Sequence, residues 1–455
     1  MKWVAIALFL LAIPLIAGLL KSNSRYAPIF WGGLTFLPFV VAPWHLIVAP
    51  FATPIWSGYV KGWQFSAIDA LAIAIIFGTR GKRVRLSIAI PFLLYTAAVF
   101  IAVVQARFPN LALGYPFQLV RVGLVVLAAA RAAQYESGEK ALLTGLVLGL
   151  ALQAGFAGWE WLNGALQTGG SMGHQNLLGF VSHMALMPAF AMFLAGRWPR
   201  RALCGVLAGV IVVILTASRA TIVVSGFCLV LTLLLSLSTR FTSRKMIVSA
   251  VGVVILALCV PLAQASLERR FAVQNTTFLA EDQQRIAFER AAKEMLANNW
   301  LGVGPNHYVF IANTEGYSER AKVNWSYGNR SANVHNSYLL VAAETGYLGV
   351  ITMILLLAAG IWVSFATALK FRREPGAEVL LGVGAGLVGI TLHGLLEWMF
   401  LIFPTQYLLA ASLGLVSGLR TRYVTKQLAT KKVRRTALSI PALGPDLAVG
   451  KVING

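Results

Sequence analysis

Charge is scarce in this chain: 12% of its 455 residues are Asp, Glu, Lys or Arg, against 58% hydrophobic. Acidic side chains are the rarer kind, 16 against 38 basic ones. Such a composition excludes a water-soluble domain with a charged surface. Cysteine is nearly absent as well. Cys204, Cys228 and Cys259 each stand alone inside an apolar run, which excludes a disulfide framework and a CxxC metal site. No HExxH, DxD, GxSxG or Walker A sequence occurs, and no carboxylates cluster between the apolar runs. Neither a tightly held divalent metal nor a cofactor is therefore expected.

What is present is a succession of apolar runs of about 18 to 22 residues, the length that crosses a ~30 Å hydrocarbon core at ~1.5 Å per residue. The fold class that follows is an all-α polytopic membrane protein. Spans are expected near 3–20, 27–48, 62–79, 86–104, 115–134, 140–162, 176–196, 201–217, 219–238, 246–264, 335–367, 378–396 and 400–419, which makes twelve or thirteen transmembrane helices. The first run, "MKWVAIALFLLAIPLIAGLL", has the length and charge of a signal sequence. No small-residue cleavage site follows it before Lys21, so it reads as an uncleaved span.

The formal charge of +22 does not point to nucleic acid, because of where it sits. Basic groups at Lys21 and Arg25, "RGKRVR" (80–85), "RWPRR" (197–201), "TRFTSRK" (239–245), "KFRR" (370–373) and "KKVRR" (431–435) abut apolar runs on every second loop. This is the positive-inside pattern. With those groups in the cytoplasm, loops 49–61, 105–114, 163–175, 216–220 and 265–334 face outward. Thirteen spans with a cytoplasmic tail put the N-terminus outside, and twelve put it inside.

Four regions result: a helix bundle (1–264), a large periplasmic loop (265–334), C-terminal spans (335–419) and a basic cytoplasmic tail (420–455), read as unstructured. The loop differs in composition from its surroundings, with eight Lys or Arg and seven Asp or Glu. Within it "QQRIAFERAAKEMLANNW" spaces Phe288, Ala291, Ala292, Met295 and Leu296 as one helical face, predicting an amphipathic helix. Trp300 and "GVGPN" (302–306) end it.

The outward loops carry the candidate chemistry. Arg219, in "LTASRATIV", lies between two runs that leave no room for a long loop, so its guanidinium sits at the outer surface; snorkelling at a helix end is the structural alternative. Arg285 opens the loop helix, where a solvated helix face is the alternative. Arg121, inside a span, reads equally as a substrate contact and as the partner of a carboxylate or dipole. His45, His183 and His393 read as hydrogen-bonded packing residues, and His174, in "GGSMGHQNLLGF", is open. His335 stands with Asn333, Asn336 and Ser337 where a long apolar helix begins. An imidazole exchanges a proton near neutral pH and an arginine does not, whereas helix capping would explain the same cluster without chemistry. Two arginines and one histidine suit the clamping of a diphosphate while a hydroxyl loses its proton.

The ordered set "TASRA" (216–220), Arg285, "NWLGVGPNHY" (299–308) and "HNSYLLVAAETGYLG" (335–349), with "GHQNLLGF" upstream, resembles the O-antigen ligase and polymerase superfamily of bacterial envelope polysaccharide assembly. The likeness covers about residues 165–419. Trp300 stands where that family commonly has proline, and Glu289 where it has an aromatic four residues after the loop arginine. The resemblance implies a metal-independent glycosyltransferase of the inner membrane, acting at its periplasmic face on a glycan carried by undecaprenyl diphosphate. It implies Arg219 and Arg285 for the diphosphate and His335 for the acceptor hydroxyl, with Arg121, His174, Asn336 and Tyr338 as further substrate contacts. Membrane lipids are the surroundings. The acceptor is the lipid A core in a ligase and another lipid-linked repeat in a polymerase. The single compact outer loop favours the ligase. A lipid or solute transporter is the reading from another class, set against by polar residues gathered at one face without repeat symmetry.

Overall fold

The computed structural model describes residues 2–79 and 84–438, excepting the side chains of Tyr327, of 432–438 and of most of 253–282. The side chain of Cys259, the 80–83 part of "RGKRVR", most of "KKVRR" and the tail from residue 439 lie outside that description. The chain is helical almost throughout. It begins with α1 (Lys2–Ser22) and α2 (Ala27–Phe36), and a two-stranded antiparallel hairpin follows, β1 (Ile47–Ala52) and β2 (Gly62–Ser66). Next come α3 (Ala67–Gly78), α4 (Ala89–Ala102), α5 (Pro109–Ala112), α6 (Gly114–Ala132), α7 (Glu136–Leu162), α8 (Gln175–Leu194) and α9 (Pro199–Leu215). The second half holds α10 (Arg219–Thr239), the long α11 (Ser243–Asn298), and three short helices, α12 (Tyr308–Thr314), α13 (Tyr317–Arg320) and α14 (Tyr327–Arg330). It closes with α15 (Ser337–Lys370), α16 (Ala377–His393) and α17 (Phe403–Leu438).

Among the described residues six helices are long and apolar enough to cross a membrane: Lys2–Ser22, Pro109–Ala132, Glu136–Leu162, Gln175–Leu194, Arg219–Thr239 and Ser337–Lys370. Three shorter apolar helices, Ala67–Gly78, Ala89–Gln105 and Ala377–His393, accompany them. The run expected as one span at 27–48 is a ten-residue helix that passes through a 3-10 turn at Leu37–Phe39 into the hairpin. Pro38 and the bends that follow it end the helix there. The loop helix expected from residue 283 is the continuation of α11, and Phe288, Ala291, Ala292 and Met295 are its buried face. Helix also covers the first part of the expected unstructured tail, to Leu438, before Pro441.

The core centres on α8, whose most apolar window is 89% buried against 11% for α1. α16 lies tightly along it, because Gly382 and Gly386 leave room for α8's backbone. A methyl group at Gly386 would come within 2.8 Å of His183 O. Small residues permit such close helix contact where lipid gives no hydrophobic drive to association. Gly179 likewise admits Thr221, locking the first turn of α10 against the second turn of α8.

α15 is broken at Gly346, whose φ of 67° and ψ of −170° are outside helical geometry. The carbonyls that the break frees are taken by the turn following α11: Val303 N donates to Ala343 O (3.0 Å) and Gly304 N to Glu344 O (2.9 Å). In return Tyr347 N donates to Trp300 O at 3.2 Å. The Glu344 carboxylate finishes the clasp, accepting from Asn306 N (2.8 Å), Tyr308 N (2.9 Å) and Tyr59 Oη (2.7 Å). "GVGPNHY" is thus the seal of a helix break, and through it the end of α11 is held to α15.

Candidate active site

α8, α10 and α15 start at one end of the bundle, and α16 finishes there. Each start has a polar cap: His174 Nδ1 accepts from Asn176 N (3.2 Å), Ser218 Oγ from Thr221 N (3.5 Å), and Asn336 Oδ1 from Tyr338 N (2.9 Å) and Leu339 N (3.0 Å). Such side chains satisfy the amides that a helix start leaves unpaired. Ser337 then fastens α15 to the end of α16, its N–H donating to Gly394 O (2.8 Å) and its hydroxyl to Glu397 O (2.7 Å).

Glu397, in the short connection between α16 and α17, is the hub of this end. It is 2% exposed, yet both oxygens are filled. Oε1 accepts from Arg285 Nη2 (3.0 Å) and Asn176 Nδ2 (2.6 Å), and Oε2 from His335 Nδ1 (3.1 Å). Arg285 Nη1 adds a longer contact of 3.4 Å to Leu396 O. Arg285 is 41% and His335 25% exposed, so the carboxylate forms the floor and its two partners the open rim. Burial works against the charge on Glu397, but the hydrogen bond and charge of His335, with Arg285 and His393, outweigh it and hold the carboxyl below its usual range. Glu397 is thus an anion at neutral pH.

That anion settles the geometry of the histidine. With Nδ1–H donated to a carboxylate, the neutral imidazole keeps its lone pair on Nε2, the arrangement a base requires. Phe288, one turn beyond Arg285 on α11, lies against the ring with centroids 6.1 Å apart. α11 therefore both charges the rim and braces the imidazole. His174 stands close enough to feel both neighbours. Desolvation lowers its pKa first, the Glu397 charge opposes, and His335 lowers it further, which leaves it neutral.

The structure brings together Arg285, His335, His174 and Asn176, the last being part of the "GHQNLLGF" stretch. Arg219 is the exposed first residue of α10, at the same end, two positions before the Thr221 that packs on Gly179. Asn336 has its side-chain oxygen committed to capping, and Tyr338 donates to Thr391 O at 2.8 Å. Arg121 lies apart from this cluster. Only 3% exposed, it donates to Asp69 (2.9 Å) and Tyr407, the carboxylate-partner reading of an arginine inside a span. His183 and His393 are packing residues joined at 3.0 Å, with Ser225 3.2 Å from His183. Sequence reasoning missed Glu397, although a single acid in "LHGLLEWMF" is itself a signal, since an isolated charge beside an apolar run needs a partner.

A bundle of apolar helices, six of them long enough to cross a membrane, with Glu397, Arg285 and His335 gathered half-open at one end, defines a polytopic membrane protein with a polar cluster at its helix termini. Residues 203–354 match the family model described as O-Antigen ligase, a stretch that takes in Arg219, Arg285 and His335. The chain is also 27% identical over 315 residues to the "Exopolysaccharide production protein ExoQ" of Rhizobium meliloti (strain 1021), covering 64% of this chain and 68% of that protein. These two likenesses bear out the resemblance to the O-antigen ligase and polymerase superfamily. They make the chain similar to membrane proteins of polysaccharide biosynthesis. Glu397, His174 and Asn176 fall outside the matched stretch.

Proposed function

We propose that the chain is a glycosyltransferase that moves a glycan from undecaprenyl diphosphate to the lipid A core, as an O-antigen ligase, at the periplasmic face of the inner membrane. The observation that carries this reading is the joint hold of Glu397 on Arg285 and His335. It sets a bidentate cation and an oriented imidazole side by side at the membrane edge. Arg219 and the free edge of Arg285 grip the diphosphate, and Nε2 of His335 faces the acceptor hydroxyl. As the acceptor oxygen bonds to C1 of the donor sugar, the C1–O bond to the diphosphate breaks. The hydroxyl proton passes to Nε2, and undecaprenyl diphosphate leaves with its new charge held by the arginines. Glu397 stabilises the imidazolium formed in that step without taking its proton.

The likeness to an exopolysaccharide production protein favours a second reading, in which the acceptor is another lipid-linked repeat and the enzyme polymerises. Donor chemistry and residue roles are the same. Purified protein given lipid-linked donor with either a lipid A core or a second lipid-linked repeat separates the two by product. Both readings predict that His335→Gln, which keeps hydrogen bonding but cannot act as a base at neutral pH, loses transfer while retaining donor binding. Near-normal transfer by this variant would reject the base role.

A further inference from the structure

We propose that the opposite end of the bundle carries a site for one anionic phospholipid, with its phosphodiester in a basic hollow and an acyl chain in an adjoining apolar cleft. α15 starts beside Glu397 and finishes at Lys370, so this end is a full helix length from the candidate active site. There the connection between α15 and α16 faces residues 423–431 of α17 across a cavity of about 520 Å³. Lys370, Arg372, Arg373, Lys426 and Lys431 line it, with Tyr423 in its wall. One carboxylate, Glu374, stands among five cations and is taken by Lys426 at 2.9 Å. Among the described residues the side chains of Arg372, Arg373 and Lys431 have no hydrogen bond or ion pair.

Cations gathered in one hollow repel each other, and an anion between them removes that cost. Membrane topology accounts for basic residues at this end but not for a hollow with an aromatic wall, since a topogenic charge has only to remain in water. The dipole of α15 accounts for Lys370 in its last turn but not for the two arginines beyond it.

A second cleft of about 150 Å³ adjoins the first and shares Lys370 and Phe371 with it. Its other walls are Trp362, Ala366, Thr367 and Val424, with Arg420 at its side. Trp362 is 73% exposed, on the turns of α15 where an indole suits the boundary between headgroups and hydrocarbon. A basic hollow that opens sideways into an apolar cleft has the two-part chemistry of a phospholipid. Inorganic phosphate would fill the first part and leave the second empty.

The test uses the purified full-length protein in neutral detergent. Native mass spectrometry counts bound phosphatidylglycerol and phosphatidylcholine, and thermal-shift titration compares phosphatidylglycerol with inorganic phosphate. One phosphatidylglycerol should be retained, at least tenfold more tightly than phosphatidylcholine. The triple variant Arg372→Gln, Arg373→Gln, Lys431→Gln, confined to exposed side chains, should bind it roughly a hundredfold more weakly, about what the loss of three surface cations implies. Ala366→Trp, which fills the cleft, should weaken phosphatidylglycerol and spare phosphate. Shortening the lipid's chains on the unaltered protein should have the same effect and needs no substitution. Equal retention of phosphatidylcholine, undiminished binding by the triple variant, or protection by inorganic phosphate equal to that of long-chain lipid would each overturn the proposal.

Discussion

Glu397→Gln is the most informative single change, because it keeps the shape of the hub and alters only charge and donor pattern. A carboxylate offers acceptors on both oxygens, and in this site both are used, by Arg285 and Asn176 on one side and His335 on the other. An amide has one oxygen and one NH₂ group. Whichever way it turns, its NH₂ meets a donor, either the imidazole Nδ1–H or the Arg285 and Asn176 pair. If it meets the imidazole, the ring relieves the conflict by moving its proton to Nε2, which disables the base. If it meets the arginine, the ion pair is lost and the guanidinium swings away from the rim. Charged hydrogen bonds to a buried group contribute about 1.5–3 kcal/mol each, while the half-exposed Arg285 contact is discounted to about 0.5–1 kcal/mol by solvent screening. Stability should fall by about 2–4 kcal/mol, read as a lower Tm in detergent. Transfer should fall by ~10²- to 10⁴-fold, the usual worth of a general base, in an assay of labelled lipid-linked donor with acceptor.

The pH dependence supplies a further check on the same variant. The folded-state pKa of Glu397 lies below its unfolded value, so its stabilising effect is present above the ordinary carboxylate range and is lost as pH falls through the depressed folded value. The Tm gap between wild type and Glu397→Gln should therefore close on acidification. Wild-type turnover with an unchanged pH profile, or a Tm gap that persists in acid, would refute the assignment of Glu397 as the group that positions His335 and Arg285.

Arg219→Lys and Arg285→Lys should each lose most transfer with normal expression, since lysine keeps the charge but not the planar fork that grips a diphosphate at two points; full transfer by both would show that charge alone suffices. Transfer should proceed in EDTA, as the lack of clustered carboxylates in the sequence implies, and activity lost in chelator but restored by Mg²⁺ or Mn²⁺ would overturn this. Gly346→Ala should lower the Tm by several degrees, because φ is +67° there and the new methyl would crowd Trp300 O and the Leu301 backbone; an unchanged Tm would show that the break is not held in this geometry.

Helix positions were legible wherever apolar length alone decides them, as in α7, α8 and α10, and the buried face of α11 was legible from its spacing. The motif order drew attention to Arg285 and His335 because both stand where apolar sequence stops. What the sequence concealed depends on long-range contact. Glu397 meets a guanidinium 112 positions earlier and an imidazole 62 positions earlier, and no local pattern announces either meeting. Arg121 was ambiguous for the same reason, its partner Asp69 being 52 positions away in the first turn of a different helix. Strand β2 was absorbed into the apolar run expected as a span at 62–79, since hydrophobicity without periodicity does not separate helix from strand, and most of β1 fell in the expected outward loop 49–61.

The break in α15 has a consequence for the order in which the molecule is made. Its open carbonyls, Ala343 O and Glu344 O, are closed by amides of Val303 and Gly304, some forty residues nearer the start of the chain. Synthesis runs from the N-terminus, so these amides exist before the carbonyls that need them. Lipid-exposed backbone without partners is not tolerated inside a bilayer, and a break of this kind survives only where protein covers it. The turn after α11 is therefore synthesised before the half-helix whose carbonyls it covers in the finished fold. A circular permutation that moved residues 299–306 behind α15 would keep every contact of the finished fold and still deprive the nascent helix of its cover.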